Sequence, residues 1–219
     1  MPLIDTLVNT RHRSTVPSIE LPLVNQAELR NPWLRQAGDA VIALARAQSA
    51  LGKARSWRGF RVSACGITLA DGTGTFSYIH GVNRKPQENG PINIHAEDTV
   101  LDTTAELGRG LLSVLAIVAD IQPDDGSRLN TPTLTPCSNR CTPRLKASSH
   151  IDERTLILSA ATDLKTVQCY DVQTLELAYQ TDDPDLLPVI SFETPNALDH
   201  QEWRQKLIAP LGQRALLLA

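Results

Sequence analysis

The run Leu111 to Ile121 is almost unbroken in its apolar character, interrupted only by Ser113 and Asp120. A strand with one wet face would alternate apolar and polar residues, so this run predicts a central strand covered on both faces. Such a strand needs one layer above it and one below. Pro32 to Arg55 offers a helix, with Leu34, Ala37, Ala40, Val41, Leu44, Ala45, Ala47 and Leu51 recurring at steps of three to four residues and Pro32 suited to the first turn. Trp57 to Leu69 reads as a strand, with Phe60, Val62, Ala64 and Gly66 alternating with more polar positions. Asp71-Gly72 turns it back into a return strand over Thr75 to Val82. Ile92 to Leu107 reads as a second helix, ended by Gly108 or Gly110.

Pro123-Asp124-Asp125-Gly126-Ser127 is a turn, and the stretch from there to Thr135 is a loop. The helix that Pro136 would open is expected to run on past Cys141, through Leu145, to about Ser148, with strands over Thr155 to Ala161 and Lys165 to Val172, and helix or strand around Leu175 to Tyr179. Asp182-Asp183-Pro184-Asp185 reads as a solvated loop, Val189 to Phe192 as a short strand, and Ala197 to Leu218 as a closing helix interrupted at Pro210. The order predicts an α/β protein, a three-layer α/β/α sandwich with a mixed central sheet. Periodicity leaves the direction of the last strands open. Residues 1–31 show little periodicity and read as an N-terminal arm, 32–180 as the domain proper, and 181–219 as a C-terminal extension packing on it.

With 219 residues and 42% hydrophobic content, the chain is long enough to bury one substantial core. Its net charge of −3 is not that of a general nucleic-acid binder. No apolar run approaches the roughly 18 to 20 residues of a membrane span, and Met1 to Ser18 lacks the apolar centre of a signal peptide. A cytoplasmic protein without a membrane partner is expected, and homo-oligomerisation is left open.

Chemistry concentrates in two stretches, Asn93-Ile94-His95-Ala96-Glu97-Asp98 and Thr135-Pro136-Cys137-Ser138-Asn139-Arg140-Cys141. The imidazole of His95 and the thiols of Cys137 and Cys141 make three sides of a tetrahedral Zn2+ site and leave a fourth position for water. Glu97, two residues from the imidazole, is a base that need not be a ligand. Zinc lowers the pKa of bound water from nearly 16 to roughly 7, which makes hydroxide available at neutral pH. If Pro136 opens a helix, Cys137 and Cys141 lie i and i+4, about 40° apart around its axis, with both sulfurs on one face. Asn93 and Pro136 would then place two helix N-termini at one metal, where thiolates are favoured. A closed structural zinc site is the alternative, but it would require a fourth protein ligand that the sequence does not display. Cys65 and Cys169 lie in apolar strand-like runs and read as core thiols.

The pattern H-x-E followed by P-C-x-x-C is the signature of the zinc-dependent nucleobase deaminases, and His95, Glu97, Pro136, Cys137 and Cys141 resemble it. Three residues rather than two separate the cysteines. The run Phe60 to Cys65, Asp71-Gly72 and Gly81-Val82-Asn83 looks like the cytidine deaminase entry, an aromatic-x-valine-glycine-alanine strand and hairpin leading to glycine-x-asparagine. The resemblance spans about residues 34 to 145 and implies a cytidine deaminase-like fold. It implies that His95, Cys137 and Cys141 hold the metal and that Glu97 takes a proton from water and passes it to the ring nitrogen. By the same resemblance Asn83 would hydrogen-bond the sugar, Phe60 would wall the pyrimidine, and Ala96 and Lys85 would line the substrate. In free-nucleoside cytidine deaminases a glutamate two residues beyond this asparagine also binds ribose. Lys85 cannot accept a hydroxyl hydrogen there, though a cation suits a phosphate.

The implied activity is hydrolytic removal of the exocyclic amine of a cytosine base, carried as a free nucleoside or nucleotide. The acidic chain and an aromatic content of only 4% favour a small molecule, because single-strand binders use aromatic stacking platforms. Arg84, Lys85, Arg140, Arg144 and Lys146 would favour single-stranded DNA or RNA instead if they formed a phosphate track. Two further readings stay open: a non-catalytic zinc-bearing scaffold, and a guanine, adenine or pterin amine as substrate.

Overall fold

The computed structural model describes residues 32–54, 61–68, 77–84, 93–120, 128–192 and Lys206. The expected N-terminal arm, Phe60, the Asp71-Gly72 turn, Lys85, the 123–127 turn and, except for Lys206 in helical conformation, the closing helix lie outside the described residues.

Helix α1 (Pro32–Ala50) runs into a short 3-10 turn at Leu51–Lys53. It is followed by β1 (Val62–Thr68), β2 (Tyr78–Val82), α2 (Ala96–Glu106), β3 (Leu112–Ala119) and α3 (Cys141–Ala147). Then come β4 (Leu156–Ala161), β5 (Thr166–Tyr170), α4 (Val172–Thr181), a 3-10 turn at Pro184–Leu186 and β6 (Val189–Ser191). The sheet order is β2-β1-β3-β4-β5-β6. Among the described strands only β3 and β4 pair in parallel, with Ala116 opposite Leu158; the other four neighbouring pairs are antiparallel. The mixed sheet expected from the element order is therefore present, and its last strands run antiparallel. Leu175 to Tyr179, left between helix and strand, lies in α4, whose N-cap Asp171 accepts the backbone N–H of Thr174 at 2.6 Å.

Both faces of the sheet are covered, as the apolar run at 111–121 requires. On one face Ala37, Ala40, Val41, Leu44 and Ala47 of α1 bury against Ile67, Val114, Ala116, Val118 and Leu158. On the other, Ala96, Val100 and Leu101 of α2, Leu145 of α3 and Leu175 and Ala178 of α4 bury against Ala64, Leu115, Ile117 and Ile157. Every residue of β3 is buried, and so is every residue of β1, where alternation with polar positions had suggested a wetter strand. The reason is the position of β1 between β2 and β3, with α1 and α2 on its two faces. The two hydroxyls of β1 are both satisfied: Ser63 donates to the carbonyl of Ala47 at 2.5 Å, and Thr68 Oγ1 accepts the Ser77 N–H at 2.9 Å.

Helix α2 lies unusually close to the sheet because β1 and β2 present glycines beneath it. A Cβ at Gly66 would stand 2.7 Å from Val100 Cγ1, and one at Gly81 would stand 2.0 Å from the Ala96 carbonyl oxygen. Among the described residues after α4, β6 pairs with β5 and extends the sheet.

Candidate metal and catalytic centre

His95 is the N-cap of α2, with extended backbone (φ −79°, ψ 156°). The expected opener Asn93 lies just before it, in a bridge segment where Ile94 pairs with Arg84. Glu97 and Asp98 occupy the first turn of α2, the end at which negative charge is favoured by the helix dipole. The second stretch departs from expectation: Pro136 does not open a helix. Residues 138–140 form a turn, and α3 begins at Cys141 itself. Cys137 thus precedes the helix and Cys141 is its first residue, with Cys141 N donating to Cys137 Sγ at 3.4 Å. The sulfurs converge through this turn and not along one helical face.

His95, Cys137 and Cys141 come together. His95 Nδ1 is 2.9 Å from Cys141 Sγ and 3.9 Å from Cys137 Sγ, and the two sulfurs are 3.2 Å apart. With Zn–S near 2.3 Å and Zn–N near 2.0 Å, a tetrahedral centre sets its ligand atoms roughly 3.5–3.8 Å apart. The triangle therefore needs only sub-ångström adjustment to take zinc, and one imidazole with two thiols is a donor set zinc accepts. Among the described residues no other group of three or more His, Cys, Asp or Glu side chains is placed to hold a metal ion.

The electrostatics suit this use. A hydrogen bond from the Cys141 thiol holds Cys137 toward thiolate, and His95 adds to the effect. Cys141 is pushed the other way by sharing its proton with Cys137 and by burial. The opposite directions show that the two thiols share one proton unequally, and a metal held here would favour thiolate at both. His95 is raised by its bond to Cys137 against the opposing effects of burial and the Arg140 charge. Glu97 is 3% exposed, and burial raises its carboxyl above the ordinary range, with His95 and Arg128 pulling it back.

The loop that carries Cys137 is fastened from several sides. Tyr179 Oη of α4 donates to the Pro136 carbonyl at 2.7 Å and lies 3.1 Å from Thr135 Oγ1. Thr142 Oγ1 donates to the same Pro136 carbonyl, Arg128 Nη1 donates to the Thr135 carbonyl, and Thr133 Oγ1 bonds Gln168 Oε1 of β5. Thr133, Thr142, Gln168, Tyr179 and Arg128 were not singled out from the sequence as parts of the site, since polar residues scattered over fifty positions carry no local pattern.

Asp98 was also missed. Its carboxylate side chain, 2% exposed, receives Arg140 Nη2 at 2.7 Å and lies 3.1 Å from Arg144 Nη1; Arg144 also pairs with Asp102. A readable signal existed: Asp98 and Asp102 are four apart on one helix, as are Arg140 and Arg144 at the other, so two complementary stripes could face one another. Leaving a charge like Asp98 buried without its partners costs about 3–5 kcal/mol.

The remaining expected site residues fare unequally. Asn83 is buried, and its Oδ1 accepts the Val62 N–H at 2.9 Å, joining the start of β1 to the end of β2. Ala96 is buried at the first position of α2, with its carbonyl over Gly81. Phe60 and Lys85 lie outside the described residues. Of the other basic residues, Arg84 is exposed, Arg140 and Arg144 are paired as above, and Lys146 Nζ bonds both carboxylate oxygens of Glu176 at 2.7 Å.

No family model matches the sequence, and no curated protein matches it. Solved structures similar to this chain include the cytidine deaminase of Burkholderia pseudomallei, at 18% identity and TM-score 0.47, covering 61% of this chain and 93% of that one. The cytidine deaminase of Mycobacterium leprae shares 18% identity at TM-score 0.42, over 61% of this chain and 93% of that one. That of Mycobacterium tuberculosis shares 26% at TM-score 0.38, over 53% and 80%. No helix among the described residues is long and apolar enough to cross a membrane. The chain is similar to cytidine deaminases of known structure, and its His95, Cys137 and Cys141 form a group able to bind a metal.

Proposed function

We propose that this chain is a zinc-dependent hydrolytic deaminase that removes the exocyclic amine of a cytosine base carried by a free nucleoside or nucleotide. The observation that carries the reading is the convergence of His95 Nδ1 and the Cys137 and Cys141 sulfurs within 4.8 Å, with the buried carboxyl of Glu97 two residues from the imidazole. The deaminase signature in the sequence turns that geometry from a generic zinc centre into a reaction.

When bound, zinc supplies Lewis-acid activation of water at neutral pH. His95, Cys137 and Cys141 would hold the ion. Glu97, whose carboxyl is raised by burial above its ordinary range and so brought nearer to neutral pH, takes a proton from water and delivers it to the pyrimidine ring nitrogen. The water oxygen bonds to the ring carbon that carries the amine. A second proton passes through Glu97 to that amine, the carbon–nitrogen bond breaks, and ammonia leaves a carbonyl behind.

A small-molecule substrate is preferred over single-stranded nucleic acid because the three basic residues from Arg140 to Lys146 are already engaged. Arg140, Arg144 and Lys146 each pair with a carboxylate, so they form a clamp and not an open phosphate track. The test is zinc content measured together with ammonia release from cytidine, deoxycytidine, their phosphates, and cytosine-containing single-stranded DNA and RNA. One zinc per chain with turnover of a nucleoside or nucleotide supports the reading. Turnover of single strands alone overturns the substrate class, and absence of zinc overturns the whole.

A further inference from the structure

We infer that Asp98 is a positioning residue that sets the distance between His95 and the cysteine pair by clamping Arg140 and Arg144 across the two helix starts. The inference rests on the metal-centre reading above and adds to it residues outside the His-x-Glu and Cys pattern. Two segments far apart in sequence must meet within a few tenths of an ångström to make the centre. His95 belongs to the start of α2, whereas Cys137 and Cys141 belong to the turn before α3 and its first residue.

Asp98 lies in the first turn of α2 and joins these parts. Its Oδ2 accepts Arg140 Nη2 at 2.7 Å and the His95 backbone N–H at 3.4 Å, while its Oδ1 is 3.1 Å from Arg144 Nη1. Arg140 Nη1 then donates to the Asn93 carbonyl at 2.7 Å, so one guanidinium grips both sides of His95. Arg144 reaches on to Asp102, one turn further along α2. The carboxylate thus touches the backbone of one ligand and holds two cations from the helix that starts at another. Each planar guanidinium reaches two different acceptors through its two terminal nitrogens, which fixes orientation as well as distance, as a lysine in the same place would not.

The clamp also gives a use to the third residue between the cysteines. Arg140 is that residue, standing immediately before Cys141 at the α3 N-cap with φ −139° and ψ −59°. The longer turn projects a guanidinium back over the start of α2 without moving either sulfur away from His95.

The test uses the full chain and Co2+ as probe, because cobalt–thiolate absorption reports ligand geometry directly. Affinity is read by competition with a chromophoric chelator, and melting temperature is recorded for each metal-free protein. Asp98→Asn keeps the shape of the side chain but removes the charge that holds both arginines. It is expected to weaken Co2+ binding by roughly 10- to 100-fold and to alter the cobalt–thiolate band, the usual scale for residues that orient metal ligands. Arg140→Gln, at a side chain 42% exposed, guards against loss of folding: it leaves Asp98 and Arg144 in place and is expected to weaken binding with little change in melting temperature. Parental affinity and spectrum in both variants would overturn the clamp while leaving the metal centre standing. If the parent chain binds neither Co2+ nor Zn2+, the metal-centre reading fails and the clamp's role fails with it.

Discussion

Gly81 lies directly beneath Ala96: a Cβ at Gly81 would sit 2.0 Å from the Ala96 carbonyl oxygen and 3.0 Å from its carbonyl carbon. Both obstacles are backbone, so neither can rotate away. Because Ala96 separates His95 from Glu97, the height of α2 over β2 sets the height of both candidate side chains. Gly81→Ala is expected to lift the start of α2, destabilise the fold by about 1–3 kcal/mol and lower zinc affinity. Thermal unfolding with metal titration checks both, and a variant with parental melting temperature and zinc content would refute the close approach.

Glu97→Gln removes the proton carrier while keeping nearly the same volume. Zinc content is expected to stay near one per chain, and ammonia release to fall by at least about 100- to 10,000-fold. Substantial residual turnover would assign the proton transfers to another group.

Replacing Cys137 or Cys141 with Ser keeps a small side chain but removes a soft thiolate ligand. Each single variant is expected to lose most of its zinc after dialysis against a chelator, as measured by metal analysis. Full occupancy in both would show that the sulfurs pack together for another reason. Cys65→Ser serves as the control, since burial pushes this thiol up to about 12 and it lies among core residues on the opposite face of the sheet.

Asp39, on the exterior helix α1, gives a pH signature independent of the metal centre. Burial raises its carboxyl above the ordinary 3.8, although Ser113 Oγ donates to it at 2.9 Å. A raised carboxyl favours the protonated folded form, so its contribution is fully present below the unfolded pKa and is lost as pH rises through the folded one. At neutral pH the charged group therefore weakens the fold. Asp39→Asn, which keeps an acceptor for Ser113, is expected to raise the melting temperature near pH 7, with the gap to the parent closing as pH falls toward 3.8. A pH-independent gap would contradict this account.

Much of the architecture was legible in local pattern. The apolar run at 111–121 demanded two covering layers, and α1 and α2 were visible because their buried residues recur with the helical period. Strand direction was not legible, because a strand buried on both faces has the same composition whichever way it runs; β5 and β6 became antiparallel only through their pairing. The burial of β1 was likewise a matter of neighbours.

At the centre, residue types and order alone singled out His95, Glu97, Cys137 and Cys141 as candidates, because a metal ligand or a proton carrier must have particular atoms whatever the fold, and the structure brings the imidazole and the two sulfurs together. Only the tertiary structure decided how they meet. The turn at 138–140 brings two sulfurs together without a shared helix, the glycines let α2 settle onto the sheet, and Asp98 joins it to α3 through two arginines. Donor chemistry is a property of a single residue and can be read one position at a time. Distance between residues 46 apart, as between His95 and Cys141, is a property of packing and appears only when the chain is folded.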